Sequence, residues 1–267
     1  MPTIQRRKTT RRRKGPARPL LAAAGLALAV WGGLALLNSR EALPPAAEET
    51  TGITLVIDGT APVIPQVLLD LAERNPETQA FVEHYPGRGD GEIDISGDYV
   101  PGEIPHFLQW DQRWGYLPYG GDRPEDMIGL SGCGPTALAM VAVGLTGNLD
   151  YHPAAVAEYA AENGYATRED GTAWTLMSQG CAAFGLTAQE VPLWEQSIID
   201  ALAQGPIICA VGAGDFTDSG HFFVITAYEN GAFRILDPNS ISNSERTWTY
   251  AELSPQIQAM WVYSAAG

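Results

Sequence analysis

The sequence has no lysine beyond Lys14 and no acidic residue before Glu41. Nine of its 16 basic residues fall within the first 40 positions, and residues 41–267 carry seven arginines against 31 acids, a net charge of −24 with histidine neutral. So acidic a body excludes direct binding of nucleic acid or another polyanion, which it would repel. Cysteine is scarce as well. The three present, Cys133, Cys181 and Cys209, form no CxxC pair and have no histidine at ligand spacing, which excludes a structural zinc site; no metal or cofactor is expected. Their odd number leaves at least one unpaired within the chain. Nor is there an internal repeat.

What the N-terminus does hold is a basic run followed by 18 uncharged, mostly apolar residues, Leu20 to Leu37. That length just spans a hydrocarbon core of roughly 30 Å as a helix. The positive-inside rule puts residues 1–19 in the cytoplasm and the rest outside the membrane. A cleaved secretory signal is the alternative, although "LLNSREALPP" fits the small-x-small cleavage pattern poorly. Either way the acidic part is exported. The chain then divides into a basic head and transmembrane anchor (1–40), a polar, proline-bearing linker (41–52), an N-terminal extension (53–102) and a main domain (103–267).

In the extension, "ITLVIDG" is followed by two short helical patterns: Val67, Leu68 and Leu71 on one face, then Ala80 and Phe81 after a break at Asn75-Pro76. We expect it to pack on the main domain. The Arg-Gly-Asp triplet at 88–90 sits in a glycine-rich turn and is read as chance, not adhesion. From Ile104 the pattern becomes dense. A helix is predicted from Cys133 or Gly134 to about Leu145, with Pro135 in its first turn, where a missing N–H costs nothing. Others are predicted in "HPAAVAEYAAENG", in "GTAWTLMSQGCAAFG" with Thr172 as cap and Gly185 as stop, and in "WEQSIIDALAQG" with Ile198, Ile199 and Leu202 on one face. The period then changes. "PIICAV", "HFFVITAYE", "AFRILD" and "AMWVYS" read as strands, with Asn230-Gly231 turning the second into the third. Helices first and antiparallel strands afterwards define an α+β domain.

Cys133 stands at the start of its helix, where unpaired N–H groups and the positive dipole end favour a thiolate. Gly132 and Gly134 keep bulk away from the sulfur. His221, in "SGHFFVI", opens a strand and has the chemistry of the base that takes the thiol proton. Asp237, in "RILDPNS", ends the partner strand before Pro238 and could orient the imidazole. A strict two-residue turn at Asn230-Gly231 would pair Asp237 with Val224 and point it away from His221, so this pairing requires an odd-length loop or a bulge. Asn239 is the substitute if the loop disfavours Asp237. An oxyanion donor is expected from "LQWDQRWGY", as Gln109 or Gln112.

These motifs carry a resemblance. "LQWDQRWGY", "SGCGPTALAMV", "GTAWTLM", "GDFTDSGHFFVI" and "LDPNS", in that order, resemble the bacterial cysteine peptidases related to the double-glycine leader peptidases, in the papain-like superfamily. The resemblance covers about Ile104 to Gly267, and "LLDLAERNPETQAFVEHYPG" is similar to an extension on membrane-anchored members. It implies a papain-like fold with Cys133 as nucleophile, His221 as base, Asp237 as orienting acid and Gln109, before the Trp-Asp pair, as oxyanion donor. No Walker motif accompanies it, so cleavage coupled to ATP-driven export is not implied.

The expectation is an extracytoplasmic, membrane-anchored cysteine peptidase acting on a peptide or protein substrate. The acidic surface suits cationic peptides. Rivals are a cell-wall peptide hydrolase, an acyl-transferring thiol enzyme, and an inactive peptide-binding module. Cys181 and Cys209 sit in apolar runs and read as core residues; His84, His106 and His152 read as surface or turn residues. Trp110, Trp114 and Trp174 are more simply core than cleft.

Overall fold

The computed structural model describes residues 63–89, 91–167 and 171–267. The expected membrane segment at 20–37, the basic head, the linker and "ITLVIDG" lie outside them. Among the described residues no helix is long and apolar enough to cross a membrane.

The chain begins with α1 (Gln66–Arg74), breaks at Asn75-Pro76, makes one 3₁₀ turn and continues as α2 (Gln79–His84). Leu68, Leu71, Phe81, Val82 and Tyr85 form a small apolar cluster that packs on Met127, Trp110, Tyr116 and Leu130 of the main domain. The Phe81 ring stacks on Tyr116 at 4.3 Å, and the Tyr116 hydroxyl donates to the Phe81 carbonyl at 2.7 Å. The extension is therefore part of the folded body.

A four-residue helix, α3 (Ile128–Ser131), leads through Gly132 into α4 (Cys133–Thr146). Between Cys133 and Thr146 there is no charged side chain, and a helix apolar on all sides is stable only when surrounded. Every residue from Gly134 to Val143 is buried, and Gly147, at φ 69°, closes the helix by donating its N–H to the Val143 carbonyl. Next comes α5 (Pro153–Glu162), capped by the His152 imidazole, and then the two-residue strands β1 (Ala166–Thr167) and β2 (Gly171–Thr172).

The predicted long third helix is a correction. Only α6 (Thr175–Ser178) is α-helical, and residues 180–184 form a 3₁₀ turn that Gly185 ends at φ 68°. Thr172 is not its cap, because that residue belongs to β2 and its hydroxyl hydrogen-bonds the Tyr119 hydroxyl at 2.7 Å. Gly180 marks the break: a Cβ there would lie 2.8 Å from Leu176 and 3.1 Å from the Tyr165 ring. The chain tightens where those side chains pack against its backbone.

The remainder builds an antiparallel sheet. It contains β3 (Leu186–Glu190), β4 (Ile207–Val211), β5 (His221–Glu229), β6 (Ala232–Leu236), β7 (Thr247–Trp248) and β8 (Ile257–Ala265), in the order β3-β8-β4-β5-β6-β7. Alternate residues serve two cores. Ile208, Ala210, Phe222 and Val224 face α4 and α5, whereas Ile207, Cys209, Phe223 and Ile225 face the opposite side. That side is covered by α7 (Glu195–Leu202), through Ile198 and Ala201, and by Leu253 of α9 (Tyr250–Leu253). Helices before an antiparallel sheet are the expected α+β arrangement, and they fit a papain-like peptidase fold. Strand β3 was not legible in advance, since only Leu186 of its five residues is buried.

Candidate active site

Cys133 is half-buried at the first position of α4. Both flanking glycines are needed for space. A Cβ on Gly132 would lie 2.6 Å from the Ile128 carbonyl oxygen, and one on Gly134 would lie 2.5 Å from Thr172 Oγ1. The sulfur thus occupies a helix end whose first-turn N–H groups have no intrahelical partner, a place that favours negative charge.

His221 is the first residue of β5, pairs with Val211 of β4, and is 6% exposed. Asn230 and Gly231 both have positive φ, 53° and 84°, and join Glu229 to Ala232 as a two-residue turn. The ladder runs regularly to Ala227–Arg234 and then continues at Ile225–Ile235 and Val224–Leu236. Thr226 is therefore an extra residue, a bulge that slips the register by one. One step further Asp237 falls opposite Phe223, on the same side of the strand as His221, and not opposite Val224. The imidazole Nε2 meets Asp237 Oδ1 at 2.7 Å.

Asp237 is 1% exposed. Besides His221, the Asn239 N–H donates to its Oδ1 and Asn243 Nδ2 to its Oδ2, both at 2.8 Å. Its own N–H donates to Ser244 Oγ, and its carbonyl accepts from His106 Nε2, each at 2.8 Å. Asn239 reaches the pair only through its backbone, so the carboxylate and not the amide meets His221.

With Nε2 engaged by Asp237, Nδ1 is left for the hydrogen bond that joins His221 to Cys133. Burial pulls the imidazole pKa down. The charge and hydrogen bond of Asp237, followed by those of Cys133, outweigh it and raise the value to about 10. Burial pushes the Asp237 carboxyl up, but His221 and the donors from Asn243 and Asn239 hold it below its ordinary range. Burial pushes the thiols of Cys181 and Cys209 upward, away from reactivity.

Gln109 is 4% exposed. Its Nε2 donates one hydrogen to the Gly129 carbonyl at 3.0 Å, its N–H is tied to the Pro238 carbonyl at 2.7 Å, and the side chain lines the same cleft as Cys133. A second amide hydrogen remains for the cleft. Gln112 turns instead to α2, where its amide donates to the Ala80 carbonyl. The cleft encloses about 1040 Å³. Leu71 and Arg74 of α1 form one wall, and Trp174 and the loop at 214–220 form others. Trp174 is 46% exposed with its ring edge-on to Trp261, whereas Trp114 is fully buried and belongs to the core.

A family model described as "Peptidase_C39 like family" matches residues 102–266. The chain belongs to that family. No curated protein matches the chain. Membership in the C39-like family relates the chain to cysteine peptidases of the papain-like group. The matched span holds Cys133, His221, Asp237 and Gln109, while α1 and α2 of the extension stand before it. Sequence reasoning missed Asn243, Ser244 and His106, which surround Asp237. The polar run "DPNSISNSE" after β6 was the one signal for the first two. His106 looked like a turn residue because its partner is 131 positions away.

Proposed function

We propose that the protein is a membrane-anchored cysteine peptidase that hydrolyses peptide bonds on the extracytoplasmic side, with residues 20–37 as its anchor. Cys133 is the nucleophile, His221 the acid and base, Asp237 the orienting acid, and Gln109 with the Cys133 N–H the oxyanion donors. The observation that carries this reading is the run from buried Asp237 through buried His221 to half-buried Cys133, ending in an open cleft that Gln109 also lines.

The charge and hydrogen bond of Asp237 favour the imidazolium form of His221, the partner a Cys133 thiolate requires. The thiolate attacks the scissile carbonyl carbon, and its oxygen gains the negative charge. In this reading the Cys133 N–H and the second hydrogen of Gln109 Nε2 donate to that oxyanion. The intermediate collapses as the C–N bond breaks, and the imidazolium gives its proton to the leaving amine. Neutral His221 then takes a proton from water, which attacks the thioester, releases the acid and restores the thiolate–imidazolium pair. Asp237 stays ionised throughout and keeps Nε2–H pointed away from the sulfur.

As substrate we propose cationic peptides. The net charge of −24 beyond residue 40 draws them in, and Asp215 and Asp218 lie along the cleft. The test is labelling by an electrophilic peptide probe together with cleavage of a peptide library. Labelling at Cys133 that depends on His221, and hydrolysis absent from Cys133→Ala, are expected. Equal labelling in His221→Ala would sink the activated thiolate. Labelling without hydrolysis of any peptide would favour a binding module, and release of peptides from purified cell wall alone would redirect the reading to wall hydrolysis.

A further inference from the structure

The family match begins at residue 102, yet the extension before it touches the loop that holds Asp237. That loop, residues 238–245, contains the five-residue helix α8 (Ile241–Glu245), which buries none of its side chains. Apolar packing therefore does little to fix it. Two of the three donors to the Asp237 carboxylate, the Asn239 N–H and Asn243 Nδ2, come from this loop.

The other side of the loop is fastened to the turn between α1 and α2. Asn75 Nδ2 donates to the Asn239 carbonyl at 2.8 Å, and that carbonyl also accepts from Trp110 Nε1 at 3.1 Å. The Glu77 carboxylate accepts the Ile241 N–H at 2.7 Å and the Ser242 N–H at 2.9 Å. Asn75 Oδ1 in turn accepts the Glu77 N–H at 3.1 Å, so one side chain grips both the turn and the loop. Burial pushes the Glu77 carboxyl up, but the Ser242 and Ile241 N–H groups, with the hydroxyls of Ser242 and Ser240, bring it below its ordinary value. It accepts these bonds as a carboxylate at neutral pH. The turn is itself held firmly, because α1 and α2 carry the apolar cluster around Phe81.

We propose that the Asn75–Glu77 turn is a positioning element of the site, fixing Asp237 against His221 through the 239–243 loop. The proposal rests on the assignment of Cys133, His221 and Asp237 above, and it makes the extension a working part of the peptidase. Glu77 touches no reacting atom. Its effect passes through Ile241 and Ser242 to the Asn243 amide and from there to Asp237. Without it the loop drifts, Asp237 loses its fixed orientation, and the imidazolium loses part of its stabilisation. The charged groups acting on His221 are Asp237 and Cys133, so a change at Glu77 reaches the imidazole by way of Asp237.

The experiment follows the His221 imidazole by NMR titration in the full chain, with the signal assigned by its loss in His221→Ala. Wild type, Glu77→Ala, Glu77→Gln and the control Gln66→Ala are compared; the Gln66 side-chain amide donates to Asp70 on the exposed face of α1. In Glu77→Ala the His221 midpoint should move down towards the ordinary histidine value, the pH profile of Cys133 alkylation should move with it, and kcat/KM should fall by about tenfold. Glu77→Gln, which keeps one acceptor oxygen, should lie between. Gln66→Ala should match wild type. A His221 midpoint unchanged in Glu77→Ala overturns the proposal, as does an activity loss that only follows a lowered melting temperature. If wild type neither hydrolyses peptides nor alkylates at Cys133 while the midpoint still moves with Glu77, the coupling stands and the peptidase reading falls.

Discussion

The start of α4 and the loop after β6 hold their side chains by different means. Cys133 is carried on a helix whose next ten residues are all buried, so its position is set by close packing around an uncharged segment. Asp237 is carried on a polar loop and is held by hydrogen bonds from Asn239, Asn243 and His106 and by its own N–H, which donates to Ser244 Oγ. Packing has no dependence on protonation, whereas charge-assisted hydrogen bonds do. The proposed nucleophile is thus fixed by the part of the fold that ignores pH, and the group proposed to tune its base by the part that responds to it.

The largest effect should come from Cys133→Ala, which removes the nucleophile while leaving α4 packed. Turnover should fall by about 10⁴-fold or more with no change in melting temperature. A large loss of stability would show that the sulfur had a packing role. Asp237→Asn should follow, at on the order of 10³-fold in kcat. It should also lower the His221 midpoint, read by NMR, because the carboxylate charge that raises it is gone; an unmoved midpoint would break the contrast between the two regions. Gln109→Ala should lower kcat by about 10²-fold with KM nearly unchanged, as expected for a bond made to the developing oxyanion. An effect confined to KM would assign Gln109 to substrate binding instead.

Leu138→Ala tests the packed side. Leu138 is fully buried in α4, and its truncation should cost about 2–5 kcal/mol in denaturant unfolding while the shape of the pH–rate profile stays the same. The smallest effect concerns stability against pH. His221 has its folded pKa raised, so its contribution is complete below the ordinary value of 6.5 and is lost as pH rises through about 10. Asp237 has its folded pKa lowered, so its contribution is present above the ordinary value of 3.8 and is lost as pH falls through the depressed one. Melting temperature should be highest between these limits, and Asp237→Asn should flatten the profile. A wild-type profile as flat as the variant's would count against the pair.

Much of the candidate site was legible because it depends on local pattern. Glycines on both sides of Cys133 and Pro135 two residues on announce a helix start, and the alternation in "HFFVITAYE" announces a strand opening at His221. The order of these motifs also carried the family. What escaped depends on contacts distant in sequence or on a count of one residue. Nothing in "HFFVITAYENGAFRILD" marks Thr226 as the extra member of its ladder. Gly180 gave no sign that it would split a helix, since the side chains that crowd it are Leu176 and Tyr165. Asn75 and Glu77 lie 164 positions from the backbone groups they hold, Asn239 and Ile241.

By itself the sequence determined the Cys133 helix, the strands from Ile207 onward, the acidic charge and the three side chains proposed for thiol chemistry, because propensity, period and formal charge are properties of short stretches. Tertiary structure decided which way Asp237 faces, which of Gln109 and Gln112 lines the cleft, and that the extension reaches the loop behind the site. Each of these turns on register or on a meeting of distant segments. A slip of one residue along a strand reverses its face, and only the packed sheet, with Phe223 and Ile225 on one side and Phe222 and Val224 on the other, selects the slip that brings Asp237 to His221.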